Sequence, residues 1–227
     1  MTSPVFESPD VLVVGAGPTG LLLACELLRH GLTVRILERA RTPVQFSKAQ
    51  VLQTRTLEIL EYMGLVGRFL ECGRPLHMLS MYDRDMTRLF HICMGELDST
   101  YPFMLSLPQR EVERLLREHV KSLGGVIESG IRLLDLTQDN GGVFAQVQRE
   151  GRGEVESIRS TWLVGCDGTN SAVRQALKLP FDGSTLPQRL IHADLRIDWP
   201  LRHGADEIVC CVSEHGYLGV FPLGEAQ

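Results

Sequence analysis

The sequence has no C-x-x-C pair, no apolar run approaching the ~18 residues of a membrane span, and no stripe of lysine and arginine. Each absence removes a class of function. Without C-x-x-C spacing or a matching histidine pattern, the cysteines at 25, 72, 93, 166, 210 and 211 do not form a zinc site, and no metal is expected. Most of them sit in apolar runs, where a thiol behaves as a small hydrophobe, and a disulfide framework would be out of place in a mid-sized chain without an export signal. A reducing, cytoplasmic setting is therefore expected. Met1 to Asp10 carries acids and prolines rather than a basic segment followed by an apolar one, so neither export nor membrane contact is expected. A formal net charge of -5 argues against a phosphate-backbone surface, so no nucleic acid partner is expected. No internal repeat or low-complexity tract occurs.

What is present is the composition of an ordinary globular chain. With 44% hydrophobic and 22% charged residues over 227 positions, the chain can bury a real core. That length holds one large domain or one and a half ordinary ones, since single cores stop growing near roughly 250 residues. A small ligand suits it best.

The first forty residues carry the clearest pattern. Val11-Leu12-Val13-Val14 is continuously apolar, as expected of a parallel strand covered on both faces. Gly15-Ala16-Gly17-Pro18-Thr19-Gly20 follows at once, then a helical stretch from Leu21 to His30 closed by Gly31, then a second strand from Thr33 to Leu37. This is the order of a dinucleotide-binding unit. Gly15 allows the sharp turn, Gly17 the approach of backbone to a pyrophosphate, and Gly20 the tight packing of helix on strand. Pro18 fits the first helical turn, where a missing N–H costs nothing. The helix N-terminus offers free amides and the positive end of a dipole. Glu38, eighteen positions beyond Gly20, can accept the two hydroxyls of an adenosine ribose. This unit alone leaves FAD and NAD as alternatives.

Three further stretches carry a resemblance. Glu38-Arg39-Ala40 with Ser47 to Leu60, Leu107 to Leu116, and Trp162 to Arg174 with its Cys166-Asp167-Gly168 turn resemble the FAD-dependent aromatic-ring monooxygenases, the group of para-hydroxybenzoate hydroxylase and the polyketide aromatic hydroxylases. The resemblance implies an α/β fold: a Rossmann-like FAD/NAD(P)-binding domain of parallel sheet, antiparallel β-layer and helices, with an interleaved, incomplete β-rich substrate domain. It implies FAD as cofactor, NAD(P)H as co-substrate, and O2 and a small aromatic substrate, phenolic or polyketide, as partners. It also implies roles for Arg39 beside the adenosine, Lys48 on the pyrophosphate where the family usually has arginine, Gln109 on the flavin side chain, and Asp167 as an indirect contact. Arginine offers a planar fork where lysine offers a point charge. The flavin carries the chemistry in this family, so no side-chain catalyst is assigned.

Between these stretches, Met78 to Tyr82 and Arg88 to Cys93 read as strands of an excursion from the nucleotide-binding domain. Ile131 to Thr137, Val143 to Arg149 and Val155 to Thr161 alternate and are separated by glycine-rich turns, which signals antiparallel hairpins covering the parallel sheet. Leu190 to Ile197, Glu207 to Val212 and Tyr217 to Phe221 read as strands of a substrate-side sheet. The division expected is residues 1–75 and 105–180 for FAD, with residues 76–104 and 181–227 for a partial substrate domain. The resemblance also implies that the chain is an N-terminal portion ending before a Gly-Asp flavin motif. Three functions follow as alternatives: a monooxygenase, a flavin dehydrogenase or oxidase of the same fold, and a non-catalytic nucleotide-binding fragment.

Overall fold

The structure, a computed structural model, describes residues 8–42, 50–151, 153–187, 189–197 and 206–223. Strand β1 (Val11–Val14) is buried at all four positions and feeds helix α1 (Pro18–Arg29) through the glycine turn. The chain returns as β2 (Val34–Glu38), parallel to β1. Next come β3 (Val51–Leu52), α2 (Thr54–Tyr62), α3 (Val66–Cys72), β4 (Arg74–Leu76), β5 (Met78–Tyr82), β6 (Arg88–Cys93) and β7 (Met104–Ser106). The long helix α4 (Gln109–Ser122) leads to β8 (Val126–Ser129), which pairs parallel with β2. Strands β9 (Ile131–Asp139), β10 (Gly142–Arg149) and β11 (Val155–Ser160) form an antiparallel meander, and β12 (Trp162–Gly165) returns to the other side of β1. A short helix α5 (Ala172–Ala176) and strands β13 (Glu207–Ser213) and β14 (Gly216–Val220) complete the described elements.

The parallel sheet has the order β12-β1-β2-β8, and its two faces are covered differently. On one face, α1 contributes Leu21, Ala24 and Cys25 and α4 contributes Val112, Leu115, Leu116 and Val120 to a core with Val13 and Ile36. The α4 positions recur at helical spacing, so one apolar stripe meets the sheet while the charged side faces out. On the other face, Leu12, Val14 and Leu37 pack against Leu133, Leu136, Ala145, Val147 and Ile158 of the meander. Alternate residues of β1 therefore enter opposite cores, which is why the strand is apolar at every position.

Two smaller sheets lie beyond this three-layer unit. One is mixed, β14-β13-β5-β6; the other is antiparallel, β3-β7-β4. Val51, Leu76 and Met104 of the second pack with Ile208 and Cys210 of the first. Since β7 runs directly into α4, the smaller sheets are tied to the nucleotide-type unit through a strand that opens its longest helix.

The expected strand over Leu190 to Ile197 does not form. No strand occurs there, and its apolar side chains stand in the open, with Ile191 96% and Leu190 86% exposed. Alternation alone does not make a strand; the backbone needs a ladder partner, and the described sheets offer this segment none. The other strands expected from pattern all occur, with boundaries shifted by a residue or two.

A buried ion pair fastens the edge of the parallel sheet. Arg35 of β2 donates from Nε and Nη2 to both carboxylate oxygens of Glu128 on β8, at 2.7 and 3.0 Å, and from Nη2 to Glu156 of β11 at 3.2 Å. Both partners in the first pair are about nine-tenths buried, so the forked geometry must offset the desolvation of two charges. Glu128→Gln is expected to lower unfolding free energy by about 3 kcal/mol, because it leaves the guanidinium under-compensated in the interior. Urea denaturation measures this, and a loss under about 1 kcal/mol would show that the pair is not a major fastener.

Candidate functional site

The glycine turn lies where β1, β2, β12 and α1 converge. Gly15 donates its amide to the carbonyl of Leu37 at 2.8 Å and has φ +103°, in a region that side chains rarely adopt. A Cβ there would lie 2.4 Å from the carbonyl oxygen of Cys166, at the end of β12. At Gly20 a Cβ would come within 2.0 Å of the Gly15 carbonyl oxygen. Both positions therefore exclude even a methyl group. Gly17 differs, because its backbone is extended and a Cβ would meet nothing within 4 Å.

Gly17 is the N-cap of α1 and Pro18 its first residue, and among the described residues no side chain caps the helix. The first-turn amides, including those of exposed Thr19 and buried Gly20, have no partner within the helix by its geometry. They present donors and the positive dipole end on the open side of Gly17. This is an anion cradle with space in front of it.

Glu38, at the end of β2, is fixed by two backbone amides. Its Oε2 accepts from Ala16 and its Oε1 from Ala40, each at 2.8 Å. A carboxylate has about four acceptor positions, so two remain for further donors. On its other side, Ala16 presents its carbonyl oxygen to Nη2 of Arg117 at 2.9 Å. Pattern reading missed both Ala16 and Arg117. A signal existed: Gln109, Glu113 and Arg117 recur at fourfold spacing on α4, a polar row beside the apolar stripe.

The other residues singled out from the sequence have separate surroundings. Arg39 lines an open cavity of about 400 Å³ together with Arg132, Gln148, Arg149, Glu150 and backbone of Gly151 and Gly153. Gln109 is the first residue of α4 and donates from Nε2 to Glu113 at 2.8 Å. Asp167 ties down the start of α5, where its Oδ1 accepts from Ser171 Oγ at 2.7 Å and its Oδ2 accepts from the amides of Ala172 and Val173. Ser171 in turn accepts from the Arg174 amide at 3.0 Å. Lys48 lies outside the described residues. Cys166, whose β-carbon neighbours Gly20, is no ready nucleophile, since burial and then the Asp167 charge push its thiol above the ordinary range.

Glycine substitutions separate the two kinds of position. Gly20→Ala is expected to destabilise by about 1–3 kcal/mol, because the methyl meets backbone rather than a movable side chain. Gly17→Ala should stay within about 0.5 kcal/mol of the parent. Thermal and urea melts of the two variants check this; equal losses would contradict the geometry.

The chain is similar to known proteins over most of its length. Residues 8–226 match the family model described as FAD binding domain. The chain is 37% identical over 220 residues to 6-methylpretetramide 4-monooxygenase of Streptomyces rimosus, an alignment covering 96% of this chain and 39% of that protein. It is 34% identical to rifampicin monooxygenase of Streptomyces venezuelae, covering 95% of this chain and 44% of that one. Among solved structures, p-nitrophenol 4-monooxygenase from Pseudomonas putida superposes with a TM-score of 0.74 at 28% identity, over 78% of this chain and 45% of that one. The chain thus spans about two fifths of the length of the curated relatives it matches. With the glycine turn, the uncapped helix and the terminal carboxylate arranged in that order, the chain belongs to the family of FAD binding domains.

Proposed function

We propose that this chain holds the ADP half of FAD for a monooxygenase that uses NAD(P)H and O2 to hydroxylate a small aromatic substrate. One observation carries the binding part: among the described residues, the first turn of α1 has no side-chain cap and opens beside Gly17, while Glu38 accepts from two backbone amides and keeps acceptor positions for further donors. A diphosphate supplies the negative charge that the turn lacks, and a ribose supplies the two hydroxyls that Glu38 can accept. The relatives' names supply the reaction class, and bound flavin would supply its redox chemistry.

In this reading Gly15 and Gly20 shape the turn, and Gly17, Pro18 and Thr19 form the wall that meets the diphosphate. Arg39 flanks the adenosine from its cavity, Gln109 at the head of α4 meets the flavin side chain, and Lys48 adds charge to the phosphates. Asp167 acts through α5, by holding the helix start that follows β12. The protein's own share is binding, orientation and exclusion of water. Residues 1–75 and 105–180 make the FAD-binding part, and 76–104 with 181–227 the substrate side.

Titration with FAD, followed by quenching of flavin fluorescence, tests the assignment. Glu38→Ala is expected to weaken binding about tenfold or more, the loss of hydrogen bonds to a charged acceptor. Gly17→Ala should weaken it similarly while leaving the melting temperature unchanged, because the methyl fills only ligand space. A parent chain that takes up no FAD would overturn the proposal. NAD(P)H oxidation that requires both a phenol and O2 supports the hydroxylase reaction, and turnover with other acceptors in the absence of O2 assigns a dehydrogenase instead.

A further inference from the structure

We infer that Arg117 is a positioning residue for the diphosphate: by holding the carbonyl of Ala16, it turns the Gly17 amide toward the ligand. The inference rests on the FAD-binding reading above. A trans peptide is planar, with its C=O and N–H pointing in opposite directions. The carbonyl of Ala16 is drawn toward α4 by Nη2 of Arg117 at 2.9 Å. The N–H of the same peptide, which belongs to Gly17, must then point away from α4. Gly17 itself has open space at its β-carbon position, and α1 begins there without a side-chain cap among the described residues.

The neighbouring peptide is fixed as well, since the Ala16 amide donates to Glu38. Ala16 is thus held at both its N–H and its C=O, and rotation of the turn would break one contact or the other. Its side chain is 1% exposed, which removes the remaining freedom.

The charge of Arg117 supports the same role. Among the described residues it forms no ion pair, and its Nε is buried without a hydrogen-bond partner. The carboxylate one turn earlier on α4, Glu113, accepts from Gln109 instead. A guanidinium stays charged in any protein setting, so a positive charge without a carboxylate partner sits behind the turn. A buried N–H left unpaired costs stability, and an apolar residue at this half-buried position would avoid that cost. The arrangement makes sense when a diphosphate arrives on the far side, since the guanidinium polarises the Ala16 carbonyl and strengthens the Gly17 amide as a donor.

The test compares ligands with and without the diphosphate. FAD, ADP and adenosine are measured on the whole chain, FAD directly and the others by competition, for the parent, Arg117→Gln and Arg117→Lys. Arg117→Gln should lose about tenfold for FAD and ADP but less than about twofold for adenosine, consistent with one charge-assisted contact removed. Arg117→Lys, which keeps the charge but not the fork, should fall between. A purely structural role would lower ADP and adenosine together, or shift the melting temperature without changing their ratio, and either result overturns the inference. Should Arg117→Gln not fold, the lysine variant carries the same ratio test. A parent that binds neither FAD nor ADP defeats the FAD reading and this inference together; a parent that binds both, with an unchanged ratio in the variants, defeats the inference alone.

Discussion

Helix α1 crosses the carbonyl of Gly15 so closely that a β-carbon at Gly20 would lie 2.0 Å from its oxygen. That contact sets the angle at which α1 leaves β1, and with it where the first helical amides point. The same turn is pressed from the other side by β12, whose Cys166 carbonyl would stand 2.4 Å from a β-carbon at Gly15. Two glycines are therefore demanded by backbone, not by ligand. The third, Gly17, has no such neighbour, and the difference separates what folds the unit from what the unit holds.

Once the helix axis is set, the polar groups around the turn divide into two kinds. Glu38, Arg117 and Asp167 each spend hydrogen bonds on backbone: Glu38 on Ala16 and Ala40, Arg117 on Ala16, Asp167 on the start of α5. They make the frame rigid. The first-turn amides of α1 and the spare acceptor positions of Glu38 are what the frame leaves available. A dinucleotide with a diphosphate and a ribose complements that remainder in charge and in hydrogen bonding. Arg35 with Glu128 plays a comparable part farther along the sheet, tying β2 to β8 so that the carboxylate at the end of β2 keeps its place.

Much of this was readable from residue order, and the parts that were not share a cause. The strand, turn, helix and second strand announced themselves through a continuous apolar run, three glycines and a terminal acid, all local in sequence. The meander over β9 to β11 was readable from alternation and glycine-rich turns, and its packing on Leu12 and Leu37 follows from it. Strands of two to four residues, such as β3, β4 and β8, carry too few positions for any period to show. Leu190 to Ile197 failed in the opposite sense, because a period was present and the partner strand was not. Arg117 was missed for a third reason: its role depends on a contact between residues 101 positions apart, and the polar row it shares with Gln109 and Glu113 marks a face of the helix without saying what that face meets. The capping role of Asp167 was half legible, since the Asp-Gly turn is followed by Asn170 and Ser171, residue types that start helices, and Ser171 is the N-cap.

A crystal structure of the chain with FAD bound answers the main question in one view. The diphosphate should lie within about 2.7–3.2 Å of amide nitrogens in the first turn of α1, with the adenosine ribose on the carboxylate of Glu38. A diphosphate seated instead among Arg39, Arg132 and Arg149, with the α1 turn facing only solvent, would contradict the proposed site.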